Sequence, residues 1–329
     1  MSAQYLRKLS LVVSSTSGET IDFADFRCVF SVRRGDIQTP NSADVRIYNL
    51  ADDTANTIAQ PEFTQLAISA GYAGNFNQIF SGTITQFRRG RENQKDTFVD
   101  ITAADGDAAY QYAPISLSMV AGAAHPGGIA QALATAIASK GITKAQWPTF
   151  STNPPPRGKV LFGLCRDELR KFAFNQNCAW SIQDGKLTFI PYAGYLPGEI
   201  PVISAATGLI GIPDQTPQGI TMRVLLNSMI KTGQAVKLDN STAINLYRYG
   251  LDISSQASNA LLSTSIKTNA DGLYYVMVAN HYGDSRGEEW YSDLVCLAID
   301  ATVPSVDAIQ QAVTVGPLPR NPNGAVQRY

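Results

Sequence analysis

SADVRIYNL, residues 42–50, has a counterpart far down the chain in QGITMRVLLN, residues 218–227. In both stretches apolar and polar residues alternate, and an asparagine follows. An alternation of period two that is rich in β-branched residues predicts a half-buried strand. We therefore expect the same kind of strand at two distant places, which is the first sign of an internal duplication.

The neighbours of these two stretches are also similar in kind and in order. A short connection comes first, then one strand candidate, and then a pair of strand candidates joined by a polar loop. These candidates are residues 65–74, 79–87 and 97–105 in the first half, and residues 234–239, 272–282 and 290–300 in the second. The identity between the halves is low. The chain thus carries either two β-modules of similar order or two unrelated β-domains.

Composition favours a protein with large interfaces. The chain has 329 residues, enough for two or three domains with separate cores. Only 16% of the residues are charged and 44% are apolar, so uncharged polar groups must cover much of the surface. Lys and Arg number 26 against 27 Asp and Glu, which provides no basic field for duplex DNA. Specific nucleic-acid recognition is therefore not expected.

The pattern divides the chain into four parts, and the fold class is mainly β with α+β insertions. Residues 1–112 carry about six strands and predict a small barrel or sandwich, while residues 113–197 predict an α+β middle domain with a linker. Residues 198–300 predict the second β-module, and a segment rich in Pro and Gly at its start, residues 197–217, marks the boundary. Residues 301–329 form an extended C-terminal tail with too few apolar residues to fold alone.

The middle domain contains two predicted helices and a hairpin. PGGIAQALATAIASKG, residues 126–141, places Ile and Leu on one helical face and ends at a glycine. NPPPRG at 153–158 predicts a rigid linker, because no helix or central strand accommodates it. A second amphipathic helix covers residues 164–173. Asp184 and Gly185 then predict a tight turn between two strands.

Cysteine and histidine are too scattered for a metal site or a disulfide framework. They are Cys28, Cys165, Cys178, Cys296, His125 and His281. We expect reduced core thiols, no metal and no cofactor. Residues 1–13 do not resemble a signal peptide, and no run of about twenty apolar residues could span a membrane. We therefore expect a chain made in a cytosol and not inserted in a membrane.

The loop between the strand candidates 79–87 and 97–105 is rich in arginine. Arg88, Arg89 and Arg91 lie there beside acidic residues. The loop is either an electrostatic contact for a partner or a solvated hairpin tip with mixed charges.

The richest candidate for chemistry is HYGDSRGEEW, residues 281–290. Its chemical groups are His281, Asp284, Arg286, Glu288 and Glu289, followed by Trp290 and Tyr291. His281 as a base with Asp284 to orient it would still need a nucleophile and an oxyanion donor, which no neighbouring motif implies. Glu288 and Glu289 lack the further aromatic and acidic residues of a glycosidase site.

A structural role for this loop explains the same residues. Its two glycines predict a tight β-loop in which Asp284 caps backbone amides and Arg286 pairs with a carboxylate. His125, which precedes Pro126, is a simple loop residue, and no glycine motif for nucleotides occurs. We predict no catalytic, cofactor-binding or metal-binding residues and no enzymatic activity.

Three stretches together resemble a known family. SADVRIYNL, the segment from Thr207 to Asn240 and HYGDSRGEEW are similar to the baseplate hub proteins of tailed bacteriophages, contractile-tailed ones in particular. A more distant resemblance is to the hub part of type VI secretion spikes. The resemblance covers the chain to about Asp300. It implies two tail-tube-like β-barrel modules in one chain, a structural role and no cofactor.

The resemblance also implies a place in the virion. A hub of this kind is a homotrimer in the tail baseplate, assembled in the host cytoplasm, which joins the sixfold tail tube protein to the threefold central spike protein. Other baseplate proteins are neighbours, and genomic DNA passes through the lumen without specific binding. The competing class is a tail-associated cell-wall hydrolase or carbohydrate-binding tail component, whose aromatic and acidic residues would converge in one groove.

The duplication would allow a threefold ring to match a sixfold tube. Three chains with two β-modules each would present six similar surfaces to a hexameric tube, while the parts that occur once per chain would keep threefold symmetry for the spike. We expect strands of the modules to pair edge to edge around the ring, which also covers edges that would otherwise be exposed.

Overall fold

The computed structural model describes most of the chain between residues 6 and 299. The described ranges are 6–15, 17–145, 147–192, 194–216, 219–239, 245–246 and 272–299. Most of the segment 240–271 and the predicted tail 301–329 lie outside the described residues, so the expectations for them remain predictions.

The N-terminal strand set comprises seven strands and two short helices. They are β1 (Arg7–Ser15), β2 (Thr20–Asp22), β3 (Cys28–Gly35), β4 (Ser42–Tyr48), α1 (Asp52–Ile58), β5 (Phe63–Tyr72), β6 (Asn75–Arg91), β7 (Thr97–Ala104) and α2 (Asp107–Tyr112). The strands pair in the order β3-β4-β7-β6-β5-β1-β2. In β4, Ala43, Val45 and Ile47 are buried, whereas Asp44 and Arg46 lie on the opposite face. The predicted alternation is therefore confirmed.

The middle region folds around two helices. Its elements are β8 (Pro114–Met119), α3 (Pro126–Ala138), β9 (Thr143–Lys144), β10 (Lys159–Leu164), α4 (Cys165–Asn175), β11 (Cys178–Gln183) and β12 (Lys186–Pro191). Both predicted helices and the hairpin are present. The turn residues Asp184 and Gly185 have φ of 53° and 70°, as a tight turn with positive φ at both positions requires. Strands β8 and β10 form a separate antiparallel ribbon.

The C-terminal strand set begins within the segment rich in Pro and Gly. Its strands are β13 (Val202–Ile203), β14 (Leu209–Thr216), β15 (Gly219–Leu225), β16 (Ala235–Leu238), β17 (Asn245–Leu246), β18 (Gly272–Asp284) and β19 (Trp290–Ala298). Six of them pair in the order β14-β15-β19-β18-β16-β13. This is the order of β3-β4-β7-β6-β5-β1 in the N-terminal set. The pairing order of the first half thus recurs in the second, although the final pair, β16 with β13, is parallel and β5 with β1 is antiparallel.

One sheet of 14 strands contains both strand sets, because β18 pairs with β3 in antiparallel fashion. We call this pairing the seam. Its register runs from Val278 opposite Gly35 to Asp284 opposite Val29. One face of the sheet packs on the hydrophobic core, and we call the other the polar face. The prediction of a mainly β protein is confirmed.

The buried apolar residues form separate clusters, one of which extends across the seam. The largest cluster belongs to the N-terminal set but also contains Leu226 and Trp290 from the C-terminal set. Trp290 packs against Phe30 with its ring edge-on at a centroid distance of 5.5 Å. A second cluster fills the middle region around Leu169 and Trp180, and a third fills the C-terminal set. Burial of apolar groups from both sets in one cluster stabilises the seam.

Candidate functional site

The loop between β18 and β19 connects the two strand sets. Asp284 forms an ion pair with Arg27, whose Nη2 lies 2.7 Å from Oδ2, and it accepts a hydrogen bond of 2.9 Å from the backbone N–H of Arg286. Burial opposes the negative charge on Asp284, but the hydrogen bonds from Arg27 and Arg286 outweigh it and lower the pKa of the carboxyl. Asp284 caps a backbone amide of the loop, as the structural interpretation predicts.

Further hydrogen bonds hold the same loop against the N-terminal set. Ser285 Oγ accepts from the N–H of Cys28 at 2.9 Å, and Arg7 donates to the carbonyl of Gly287 at 2.7 Å. Arg286 donates to the carbonyl of Asp25 at 2.8 Å. The sequence predicts a carboxylate as the partner of Arg286, and this is wrong, because the loop lies over a backbone turn whose carbonyl accepts the hydrogen bond. The loop therefore connects the two strand sets across the seam through its hydrogen bonds.

His281 lies in the core and not in a cleft. The residue is 1% exposed, and its Nδ1 lies 2.7 Å from Oγ of Ser292 on the neighbouring strand. Ser292 is itself fully buried. Burial lowers the pKa of His281 to about 3, and the charge of nearby Arg34 lowers it further, so the ring is neutral at physiological pH. The sequence did not identify Ser292, because only the cross-strand register brings it to His281. Enclosed in this way, the two residues form a packing pair.

The other groups of this loop do not converge in a groove. Trp290 is 2% exposed and belongs to the core, so it cannot present its ring to a sugar. Glu288 and Glu289 point away from the core and are exposed. Tyr291 lies on the polar face beneath the guanidinium of Arg223. These positions do not match the arrangement that a carbohydrate site needs.

The remaining sequence candidates also occupy structural positions. Each of the four cysteines is buried as a free thiol, and burial raises the pKa of Cys28 and Cys165 to about 12. His125 is the N-cap residue of α3, where its Nδ1 accepts from the N–H of Gly128 at 3.0 Å. Among the described residues, no group of three or more His, Cys, Asp and Glu could hold a metal ion. No described helix is long and apolar enough to cross a membrane.

The polar face carries the same ion pair in both strand sets. Arg46 on β4 binds Asp100 on β7 through two hydrogen bonds of 2.7 and 3.0 Å. Arg223 on β15 binds Asp293 on β19 through two hydrogen bonds of 2.6 and 2.9 Å. Each arginine also covers an aromatic ring two residues before its aspartate, Phe98 in the first set and Tyr291 in the second, at 4.0 and 4.1 Å. These are equivalent positions of the repeated pairing order.

A bulge recurs at the equivalent position as well. The pairing of β6 with β7 shifts between Ile84 and Gln86, and the pairing of β18 with β19 shifts between Val276 and Val278. Counted from the paired aspartates Asp100 and Asp293, the two shifts fall at the same place in the ladder. Since a β-bulge is a specific feature of a sheet, its repetition strengthens the case for internal duplication.

The turn between β11 and β12 attaches the middle region to the seam. Arg34, which is 4% exposed, donates to the carbonyl of Ile79 at 2.7 Å, to Oε1 of Gln183 at 3.2 Å and to Oδ2 of Asp184 at 3.0 Å. Gln183 Oε1 also accepts from Asn41 at 2.9 Å. We call these contacts the junction network, because it connects β3, β6 and the middle region.

A buried carboxyl lies beside the junction network. Asp36 is 1% exposed and accepts hydrogen bonds from the hydroxyl groups of Ser181 and Tyr275. Burial raises the pKa of Asp36, and burial together with the neighbouring carboxyl raises the pKa of Tyr275 well above its usual value. Asp36 is thereby linked to the middle region through Ser181 and to the C-terminal set through Tyr275. The three parts of the chain meet at fixed polar contacts.

Comparison with known proteins places this fold among tail proteins. No family model and no curated protein matches the chain. The 43 kDa tail protein of prophage MuSo2 from Shewanella oneidensis matches with a TM-score of 0.54 at 8% identity, over 91% of this chain and 99% of that protein. The tail protein from Neisseria meningitidis MC58 matches with a TM-score of 0.54 at 11% identity, over 91% of this chain and 98% of that protein.

A protein of a secretion system has the same fold. The E. coli c3393 protein, a component of the type VI secretion system described as similar to bacteriophage T4 tail proteins gp27 and gp5, matches with a TM-score of 0.50 at 8% identity. The match covers 92% of this chain and 80% of that protein. The chain therefore has the fold of phage tail proteins and of this secretion component. The resemblance drawn from the sequence is confirmed at the level of the fold.

Proposed function

We propose that this chain is the hub of a phage tail baseplate, a structural homotrimer that joins the sixfold tail tube to the threefold central spike. The observation that carries the proposal is the seam. It joins two strand sets of the same pairing order side by side in one sheet, so that a single chain presents two similar surfaces in succession. Three such chains in a ring would present six.

The proposed division follows the four parts of the sequence. Residues 1–112 and 198–300 form two tail-tube-like β-barrel modules that line the channel. Residues 113–197 occur once per chain and give the ring its threefold side. The tail at 301–329 is proposed to contact the spike. Other baseplate proteins are neighbours of this hub, which is assembled in the host cytoplasm and ends in the virion.

The polar face supports a channel that does not retain DNA. In each strand set an arginine of this face is held by two hydrogen bonds to an aspartate, Arg46 by Asp100 and Arg223 by Asp293. Arginines bound in this way are less available to phosphate oxygens, whose neutralisation supplies most of the affinity for DNA. The passage of DNA without specific binding is part of the proposal.

Co-expression with the tail tube and spike proteins of the same phage tests this function. The expected product is a complex that contains both partners and three copies of the 35.4 kDa chain, as weighed by native mass spectrometry. A chain that binds neither partner under conditions in which the two partners are folded would overturn the proposal.

A further inference from the structure

The ribbon of β8 and β10 covers the helices of the middle region with one face only. Ile115 and Leu161 on this inner face are buried in the cluster that also contains residues of α3 and α4. Val160 and Phe162 lie on the outer face, where they are 67% and 76% exposed. Their cross-strand partners are exposed serines of β8. The outer face of the two strands therefore presents apolar and hydroxyl groups without a charge.

Both edges of the ribbon are open within the described part of the chain. Strand β10 pairs with β8 along its whole length, and no described strand lies on its other side. Two-stranded ribbons are only marginally stable, and a free edge accepts a further strand. The β10 edge borders Val160 and Phe162, so a strand added there contacts both side chains. This edge is therefore the better site for a third strand.

One segment of the C-terminal tail has the composition of such a strand. Residues 308–315, AIQQAVTV, are the longest run of the tail without Pro, Gly or a charged residue. Ile309, Val313 and Val315 share one face of an extended chain, and Gly316 follows. Alternation that is rich in β-branched residues and ends at a glycine is a strand signal. The segment is uncharged, as is the outer face of the ribbon.

The tail is long enough to reach the ribbon of its own chain. Ile299 ends the last described range and packs in a small apolar cluster with Ile190 of β12, so the tail begins beside the middle region. A compact region of about 80 residues is about 30 Å across. Residues 300–313 span about 46 Å when extended. A tethered segment of this length also has a high effective concentration at the ribbon, which favours it over a strand from another molecule.

We propose that residues 309–315 add to the β10 edge as a third strand of the ribbon within the same chain. The β-branched face of the segment then lies beside Val160 and Phe162, and cross-strand pairs of aromatic and β-branched side chains are stabilising. Its small residues, Ala312 and Thr314, face the helices. This docking goes beyond the hub proposal. It leaves residues 317–329 available for the proposed contact with the spike.

Hydrogen exchange of the full chain at single-residue resolution tests the docking. In an antiparallel ladder, alternate amides of β10 bond to β8 and the others point outward. The outward amides are expected to be protected in the native chain and in a chain truncated after Gly316. Truncation after Ala308 is expected to raise their exchange rates at least about tenfold. The outward amides of β8 are the internal control, because they face the edge that stays open.

The outcomes decide whether the tail of the same chain supplies this strand. Protection that is lost only when residues 309–316 are removed supports the docking. Outward β10 amides that exchange freely in the native chain, or that stay protected after truncation at Ala308, overturn it. Protection that falls on dilution assigns the strand to a second copy and also overturns it. Spike attachment is measured separately, because truncation after Gly316 removes the proposed spike contact and keeps the docked segment.

A pair of substitutions tests the same contact without truncation. Val313→Asp places a charge beside Phe162 and is expected to raise the exchange rates of the outward β10 amides about tenfold. Val326→Asp is the matched control, since it makes the same change beyond Gly316. Phe162→Ser is expected to act like Val313→Asp, and because Phe162 is exposed, its replacement leaves the inner face of the ribbon intact. Equal effects of the two valine variants, or no effect of Val313→Asp, would contradict the docking.

Discussion

Replacement of Arg34 by methionine is expected to loosen the middle region from the seam. Methionine has a similar length but donates no hydrogen bond. The carbonyl of Ile79 and the side chains of Gln183 and Asp184 therefore lose their bonds of 2.7, 3.2 and 3.0 Å. Gln183 keeps other donors, including Asn41. Most of the loss in stability therefore comes from the carbonyl of Ile79 and the carboxylate of Asp184, which are left without this donor.

The magnitude follows from these contacts. Removal of one partner of a buried ion pair costs about 3–5 kcal/mol. The side chain of Asp184 is 24% exposed, so water solvates it in part. Among the described residues, Nε of Arg34 has no hydrogen-bond partner, and methionine removes that cost. We therefore expect a loss of about 2–3 kcal/mol in the free energy of unfolding, which is less than the loss for a fully buried pair.

Urea unfolding followed by circular dichroism and tryptophan fluorescence measures this loss. Asp184→Asn is the matched control, since asparagine tolerates the positive φ of this turn position and keeps an acceptor. It is expected to cost about 1 kcal/mol. A loss below about 0.5 kcal/mol for Arg34→Met would refute the view that the junction network holds the middle region, because changes of that size are typical of ordinary surface positions.

Three further predictions concern the carboxyl of Asp105, the loop at residues 281–290 and the C-terminal tail at residues 301–329. Burial raises the pKa of Asp105 to about 6, so the folded chain favours the protonated form and loses stability as the pH rises from about 4 through 6. Asp105→Asn should remove this dependence, and melting temperatures of variant and native chain between pH 4 and 7 should then converge at the acidic end. His281→Ala and Glu288→Ala are expected to leave peptidoglycan zymograms of the chain without a cleared band, as in the native chain, and a band lost with either substitution would contradict a structural loop. Truncation after Gly316 should block spike attachment and spare the folded core, because ordering that segment costs about 1–2 kcal/mol per residue and needs a partner to offset it; complete tails built from the truncated chain would contradict this.

The alternation of residues was sufficient to locate the principal strands. Arg46 and Arg223 already occupy equivalent places in SADVRIYNL and QGITMRVLLN. The asparagines that follow, Asn49 and Asn227, do not occupy equivalent places. The N–H of Asn49 bonds to the carbonyl of Thr97, and in the second half Leu226 makes the corresponding bond to Trp290, so Asn227 lies one residue further on.

Other features could not be read from sequence, for physical reasons. The ribbon of β8 and β10 was missed because its apolar residues face both ways: Leu161 is 1% exposed, whereas Val160 and Phe162 are 67% and 76% exposed. The seam depends on contacts between strands far apart in the chain, and period-two strands do not specify their partners locally. The pairing of His281 with Ser292 depends on the same register.

In the proposed hub, two equivalent strand sets per chain let three chains match a hexameric tube. Single-particle imaging of this protein inside an assembled baseplate tests it most directly through the rotational symmetry of the ring. Three copies per ring are expected, with both strand sets of each copy lining the channel as six superposable units. Six copies per ring, or two strand sets that do not superpose and do not both line the channel, would contradict it.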